Sequence, residues 1–383
     1  MRKKYPLGLT IALMLITASA TFVISLLAIR EHYGMNSDLY GEVQKYQEAR
    51  EVIQKYYVGD YEESGLTDAS IAAAVDALDD QWSFYMTSEE FEAYQKNLNN
   101  QYQGIGITYS RTEDENYVRI ETVSDGSPAQ EAGLKAGGII KDIDGQNVQD
   151  LENEEVRELI LSQIGGVVTM TVMDEKGSER TVEVESKEYY VNPLSYEMLD
   201  GDIGHIAIAN FDSGSGQEAI AAIEDLLDKG AKALIFDVRN NGGGLVSELL
   251  ELLDYLLPEG ELFITADRDG EEIITTSDSD GLEMPMAVLV NENSYSAAEY
   301  FGAILQEYDW AMIVGAKTTG KGRSQITCEL SDGSAIHISS KTYYTPNRVD
   351  LSEAGGIVPD YVVELEDDSD TDLQLEKAAE LFR

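Results

Sequence analysis

The sequence predicts an α/β core in the C-terminal half, a smaller inserted α+β module, an N-terminal helical arm and one transmembrane helix. Three observations carry this. From Tyr189 onward, apolar strand-like runs at 203–208, 233–238, 287–290 and 311–314 alternate with helix-like runs at 216–227, 246–257 and 297–305, the pattern of an α/β sheet with ligands near its strand ends. Residues 102–186 read as a compact set of strands and short helices. From Leu7 to Ile29 the chain carries no charge over 23 residues. The divisions expected are 1–30, 31–100, 101–187 and 188–383.

As a helix, the segment from Leu7 to Ile29 would span about 34 Å against a hydrocarbon core of about 30 Å. Arg2, Lys3 and Lys4 precede it, which keeps that end in the cytoplasm and puts the rest outside. Ala18-Ser-Ala20 offers a signal-peptidase site, but the apolar run continues to Ile29, so a retained single-pass anchor is the expectation. The body of the chain would then be extracytoplasmic, on a bacterial-type cell membrane. With 27 basic and 72 acidic residues the net charge is −45, which excludes nucleic acid and anionic lipid surfaces as partners. The single Cys328 rules out an intramolecular disulfide and cannot by itself make a zinc site. No metal and no cofactor is expected.

In the arm, Val43, Tyr46, Ala49, Val52, Ile53 and Tyr56 recur at helical spacing, and 71–78 form another apolar stripe; both predict helices with a packing face. In the module, Gly104 and Gly106 flank Ile105 and precede Ile107. Backbone amides there would converge on an anion such as a peptide carboxylate, or the glycines make an ordinary turn.

The chemistry concentrates in 287–325. The run 287–290 predicts a buried strand, 291–294 a sharp turn and 296–306 a helix, which places Ser296 at a strand-to-helix corner. The run 310–314 leads into Gly315-Ala-Lys317-Thr-Thr-Gly-Lys321-Gly322, which returns two lysines to the same sheet edge. A serine hydroxyl needs a base. Of His32, His205 and His337, only His337 is placed to be a triad histidine. A lysine is the other choice; at a reference pKa near 10.4 it is about 0.04% neutral at pH 7, and lowering it by roughly 3 units costs about 4 kcal/mol, within the reach of burial. Two bland readings compete. Ser296-Ala-Ala-Glu299 is a capping box, and Gly315 to Lys321 nearly spells a phosphate-binding loop, although Gly322 stands where Ser or Thr should ligate magnesium.

Asn291-Glu-Asn-Ser-Tyr-Ser296-Ala-Ala-Glu299, Thr319-Gly-Lys321-Gly322, Gln325 and the upstream Asp237-Val-Arg-Asn-Asn-Gly-Gly-Gly244 together resemble the C-terminal processing peptidases, also called tail-specific proteases. Tyr343-Tyr-Thr-Pro346 and Gly355-Gly-Ile-Val-Pro359-Asp360 match further landmarks, and Leu78-Asp79 with Ser83 and Tyr85 roughly follows the family's leucine-aspartate-x-x-serine-x-tyrosine pattern. In that family the second serine of a Ser-x-Ser-Ala segment is the nucleophile, a lysine 25 residues later the base, and a glutamine four beyond it orients the lysine; Ser296, Lys321 and Gln325 stand at those positions. The resemblance also implies oxyanion amides at Gly244 and Ala297. Ser127-Pro-Ala-Gln-Glu-Ala-Gly133-Leu134, Gly138-Ile-Ile140 and Ile143-Asp144-Gly145 follow in the order of PDZ domains, with Gly138 where aspartate is usual, which gives Gly104, Ile105, Gly106 and Ile107 the part of the carboxylate loop.

The resemblance therefore implies an α/β protease core with an inserted PDZ domain. It implies a serine endopeptidase that acts on unfolded or C-terminally exposed protein and peptide substrates, and an arm that pairs two subunits as a homodimer. A Ser-His hydrolase using His337, Lys317 as a rival base, and a PDZ tether that binds tails without cutting remain as alternatives.

Overall fold

A computed structural model describes residues 14, 16–23, 25, 37–112, 116–124, 126–161, 165–174, 176–278, 280–364 and 371–383. The chain divides into two compact units, Met1–Thr67 and Asp68–Arg383, so the boundary falls inside the expected arm. In the first unit residues 16–23 are helical. Most of the segment from Leu7 to Ile29 lies outside the described residues, as does His32. Among the described residues no helix is long and apolar enough to cross a membrane. Helix α1 (Ser37–Tyr56) follows, with Val43, Val52 and Tyr56 of the apolar stripe exposed. Helix α2 (Glu63–Asp76) runs across the unit boundary.

The second unit opens with the short strand β1 (Phe84–Met86) and helix α3 (Ser88–Leu98). Helix α3 starts with a complete capping box: Thr87 accepts from the Glu90 amide, and Glu90 reaches back to the Thr87 amide at 2.8 Å. Two donors at the helix start are thereby satisfied reciprocally.

Next comes a sheet made of β2 (Gln101–Gly104), β3 (Ile107–Arg111), β4 (Val118–Val123), β5 (Ile139–Ile143), β6 (Gln146–Asn147), β7 (Gly166–Met173) and β8 (Glu179–Tyr190), in spatial order β2-β8-β7-β5-β4-β3 with β6 beside β5. Its helices are α4 (Pro128–Glu131) and α5 (Asn153–Leu161). Strand β8 alternates buried and exposed side chains through Val182, Val184 and Ser186, as a one-face-buried strand must. Ile120, Ile140, Ile143, Val168, Met170 and Val184 close this module's own core.

The larger core is a six-stranded sheet, order β18-β15-β14-β11-β10-β9, from β9 (Leu194–Leu199), β10 (Ile203–Ile208), β11 (Ala233–Asp237), β14 (Met286–Val290), β15 (Met312–Gly315) and β18 (Tyr361–Val362). All pairs are parallel except β10 with β9. Strand β14 is buried at every position, which explains its unbroken apolar sequence: a parallel strand covered on both faces has no polar side. One face, through Ile206, Phe236 and Val288, packs against α6 (Ser215–Asp228), α7 (Val246–Leu256) and α8 (Ala297–Glu307). The other face, through Ile235, Ala287 and Leu289, meets Ala378 and Ala379 of the last helix, α10 (Leu373–Glu380).

A second, five-stranded sheet was not foreseen from sequence. It pairs β1, β17 (Ala335–Tyr344), β12 (Gly260–Ala266) and β13 (Glu272–Ser277), with β16 (Arg323–Glu329) on β17. The short helix α9 (Leu351–Ala354) follows β17. This sheet matters for the site because β16 starts two residues after Lys321.

Candidate active site

The carboxyl ends of β11, β14 and β15 release three loops at one edge of the large sheet, where parallel sheets place their ligands. The loop after β14 carries Ser296. Ser294 Oγ donates to Val238 O at 2.8 Å and accepts from the Asn291 amide at 3.0 Å, and the Tyr295 amide donates to Asn241 O at 3.2 Å. Asn240 and Asn291 exchange two further bonds, both at 2.9 Å. So fastened, Ser296 sits at φ 58°, an unusual conformation for a residue with a side chain, of the kind that surrounding structure must enforce.

The capping-box expectation fails at this serine. Ser296 makes no side-chain cap to α8, and Glu299 is directed elsewhere. Its carboxylate, fully buried, accepts from the Thr318 hydroxyl, from the Gly320 amide at 2.7 Å and from the Lys321 amide at 2.9 Å. Burial raises this carboxyl above the usual range, opposed by those hydrogen bonds. Glu299 therefore clamps the lysine-bearing loop onto α8. The clamp also removes the phosphate-loop reading, because the amides a phosphate would need are already bonded. Nor is there space at 322 for a ligating side chain: a Cβ on Gly322 would lie 2.4 Å from Asp350 Oδ1.

Lys321 is 8% exposed, and burial holds its ammonium well below the ordinary lysine range, at about 8, against the Asp80 carboxylate, which favours the charged form. Nζ lies 4.4 Å from the centre of the Trp82 ring and 5.9 Å from that of Tyr295. The Tyr343 hydroxyl, kept protonated by burial, donates to the Lys321 carbonyl and is within hydrogen-bonding reach of the Ser296 side chain. One phenol thus joins the two loops. Lys317 lies outside this enclosure, exposed to solvent.

Gln325 does not meet Lys321 through a hydrogen bond among the described residues. Its amide nitrogen donates to Arg323 O at 2.9 Å and Ser339 Oγ at 3.0 Å. The reason is local: the β16–β17 register shifts between Ser324 and Gln325, and a bulge re-aims the side chain it carries. His337 is no closer to a triad. Its Nδ1 pairs with Thr327 Oγ1 at 2.8 Å, and its ring lies against Phe84 and Tyr94. Burial first, then the Lys321 charge, lowers its pKa.

The glycine turn after β11 completes the edge. A Cβ on Gly243 would stand 2.7 Å from Ser296 Cβ and 2.9 Å from the Ala297 nitrogen; one on Gly244 (φ 149°) would meet Phe211 backbone at 2.3 Å. Only glycine allows so close an approach. The Gly244 and Ala297 amides have no hydrogen-bond acceptor among the described residues, and Ala297 opens α8, whose start carries the positive end of the helix dipole. The base of the turn is pinned by Arg239, which donates to Asp237 at 2.9 Å and, across to the last helix, to Asp372 at 2.9 Å and Gln374 at 3.1 Å. Sequence reasoning missed Glu299, Tyr343 and Trp82 in this site, since each acts through a partner distant in the chain.

Gly104, Ile105, Gly106 and Ile107 line a cavity of about 360 Å³ with Lys96, Arg157, Ile160 and Leu161. Gly104 and Gly106 have φ of 125° and 82°, and the Ile105 and Gly106 amides have no acceptor among the described residues.

Comparison with known proteins agrees with this architecture. Residues 202–363 match peptidase family S41 and residues 119–173 match a PDZ domain. A probable CtpA-like serine protease of Staphylococcus aureus (strain N315) is 28% identical over 363 residues, covering 94% of this chain and 72% of that protein. One from Staphylococcus epidermidis is 28% identical over 342 residues, covering 88% and 69%. Among solved structures, the photosystem II D1 C-terminal processing protease superposes with a TM-score of 0.53 at 25% identity, over 83% of this chain and 86% of that one. A putative S41 protease from Bacteroides fragilis shares the fold, with a TM-score of 0.60 at 18% identity over 85% and 92%. The chain belongs to peptidase family S41, as a serine-type C-terminal processing peptidase with a PDZ domain.

Proposed function

We propose that this peptidase is a membrane-anchored, extracytoplasmic endopeptidase that takes up substrate C-termini in the groove beside Gly104–Ile107 and cleaves with a Ser296–Lys321 dyad. The observation that carries the dyad is the burial of Lys321 beside the serine loop, with its pKa at about 8. A lysine so placed is partly neutral at ordinary pH and is matched to proton transfer. Neutral Lys321 takes the Ser296 proton as Oγ attacks the peptide carbonyl, then gives it to the leaving amine. It next draws a proton from the water that hydrolyses the acyl-enzyme. The Gly244 and Ala297 amides receive the developing oxyanion, where one such donor is worth roughly 2.7–4 kcal/mol. Gln325 supports β16 beside the base without a direct bond to it.

The uncharged segment from Leu7 to Ile29, with Arg2, Lys3 and Lys4 before it, supports the anchor and the outward placement of the body. Subunit pairing through the arm rests on family resemblance alone.

The test uses an unfolded reporter with an apolar C-terminal tail, read by intact-mass spectrometry. Wild type is expected to trim it, and Ser296→Ala and Lys321→Ala to lose at least about a thousandfold in kcat/KM. His337→Ala and Lys317→Ala are expected to stay within about threefold. Because the base works unprotonated, activity should rise with pH through about 8. An active Lys321→Ala would overturn the dyad; tail binding by wild type without cleavage would favour the tether.

A further inference from the structure

We propose that Trp82 is the positioning residue for Lys321, its indole face holding the amine at the serine loop in the place where a hydrogen-bonding side chain was expected. The inference rests on the Ser-Lys reading above. An ammonium carries three donors, yet Nζ of this buried lysine has no hydrogen-bond acceptor among the described residues, and Gln325 is bonded to Arg323 and Ser339. What surrounds it is aromatic. The Trp82 ring centre is 4.4 Å away and the Tyr295 ring centre 5.9 Å, within the range over which a cation is drawn to a ring face. The two rings lie 5.5 Å apart at 35°, and Tyr295 directly precedes Ser296. The same aromatic pair thus touches both the base and the nucleophile's loop.

Trp82 is itself fastened. Asp80 accepts from the Trp82 amide at 3.3 Å and from Ser83 Oγ at 2.6 Å, and Ser83 Oγ in turn accepts from the Ser339 amide at 3.0 Å. The segment is therefore tied to β17, the strand whose Tyr343 reaches Ser296. Trp82 lies between Asp79 and Ser83, which have three residues between them where the leucine-aspartate-x-x-serine-x-tyrosine pattern has two, and the pattern names no tryptophan.

A ring face attracts the charged amine and has no acceptor for its proton. It fixes Nζ in the resting enzyme and loosens its hold when the amine becomes neutral and turns to Ser296. Two effects of the indole oppose each other: its π face favours the cation, whereas its bulk excludes the water that would also favour the cation. The other groups around Lys321 are the Asp80 and Glu299 carboxylates, His337, the Tyr295 ring and the Tyr343 hydroxyl, and all stay constant across the variants below.

The experiment is the pH dependence of kcat and KM for the tailed reporter with wild type, Trp82→Phe, Trp82→Leu and Trp82→Ala. Trp82→Leu keeps apolar bulk without a π face, so its rising limb should move down by about half to one pH unit. Trp82→Ala admits water, and its limb should move up. Both should lose about tenfold in plateau kcat, with KM within twofold, because the amine is no longer held in line. Trp82→Phe should restore the wild-type midpoint and most of kcat. Should Trp82→Ala unfold, the Leu and Phe pair decides alone. Superimposable profiles with unchanged kcat would overturn the proposal while leaving the dyad intact, provided Lys321→Ala is inactive. Cleavage by Lys321→Ala would instead remove the dyad on which it stands.

Discussion

Two turns in this molecule present free backbone amides with the help of glycine, and they are built oppositely. At 242–244 the backbone is packed hard: substituents at Gly243 and Gly244 would strike Ser296, Ala297 and Phe211 at 2.3–2.9 Å. At 104–107 the chain is tight underneath, where a Cβ on Gly106 would meet Ser127 at 2.2 Å, but a cavity of about 360 Å³ lies beside it. The charges proposed for them explain the difference. An oxyanion exists only in the transition state, so its donors contribute most when held rigid beforehand. A substrate carboxylate is permanent; it must enter, bind and leave, which requires room and side-chain pockets beside the amides.

The sharpest way to break the comparison is Gly244→Ala. Its new methyl meets the carbonyl carbon of Phe211 at 2.3 Å, and backbone cannot swing aside as a side chain does. The amide should be displaced, lowering kcat by roughly 10²–10³ with KM within about threefold. A rise in KM alone would mean that this turn binds ground-state substrate and that the contrast is false.

Gly106→Ala is the mirror test and the smaller one. The clash is with Ser127 Cβ, and that serine is the buried N-cap of α4, whose Oγ accepts from Gln130 at 3.3 Å. KM for tailed substrates should rise roughly tenfold, about 1.4 kcal/mol, with cleavage of an untailed peptide unchanged. Equal loss on both peptides would tie the turn to chemistry instead of to capture.

The same contrast marks how far sequence could see. The buried parallel strands were legible because full burial demands unbroken apolar runs, and the corner at Ser296 followed from a strand, a turn and a helix in succession. Glu299 was not. Its place three residues after a serine is a capping pattern, and what redirected it was a loop about 20 residues away that needed its amides satisfied. Gln325 was named through the family resemblance, but a register shift in β16 set its aim. Trp82 sits in a segment without helical or strand period, and its partners Tyr295 and Lys321 lie some 210–240 residues on. The smaller sheet escaped because β1 has three residues and pairs with a strand about 250 residues later. Short-range pattern fixes elements and positions, whereas side-chain direction is decided by distant neighbours.

Gly104→Ala should give the smallest effect, and its size separates conformational strain from collision. Gly104 has φ 125°, yet among the described residues a Cβ there would find only Leu161 Cδ2, at 3.4 Å, an ordinary contact. Nothing has to move aside, so the cost is the backbone conformation itself, of order 1–3 kcal/mol. Against it stand a new apolar contact and the lower entropy of an unfolded chain with alanine, about 0.4–1 kcal/mol. The net should be a fall of a few degrees in Tm and about a threefold rise in KM for tailed substrates, with kcat unchanged. Binding as weak as that of Gly106→Ala would show that φ at 104, and not the fit against Ser127, sets the direction of the amides. An unchanged KM would confine the capturing amides to Ile105 and Gly106.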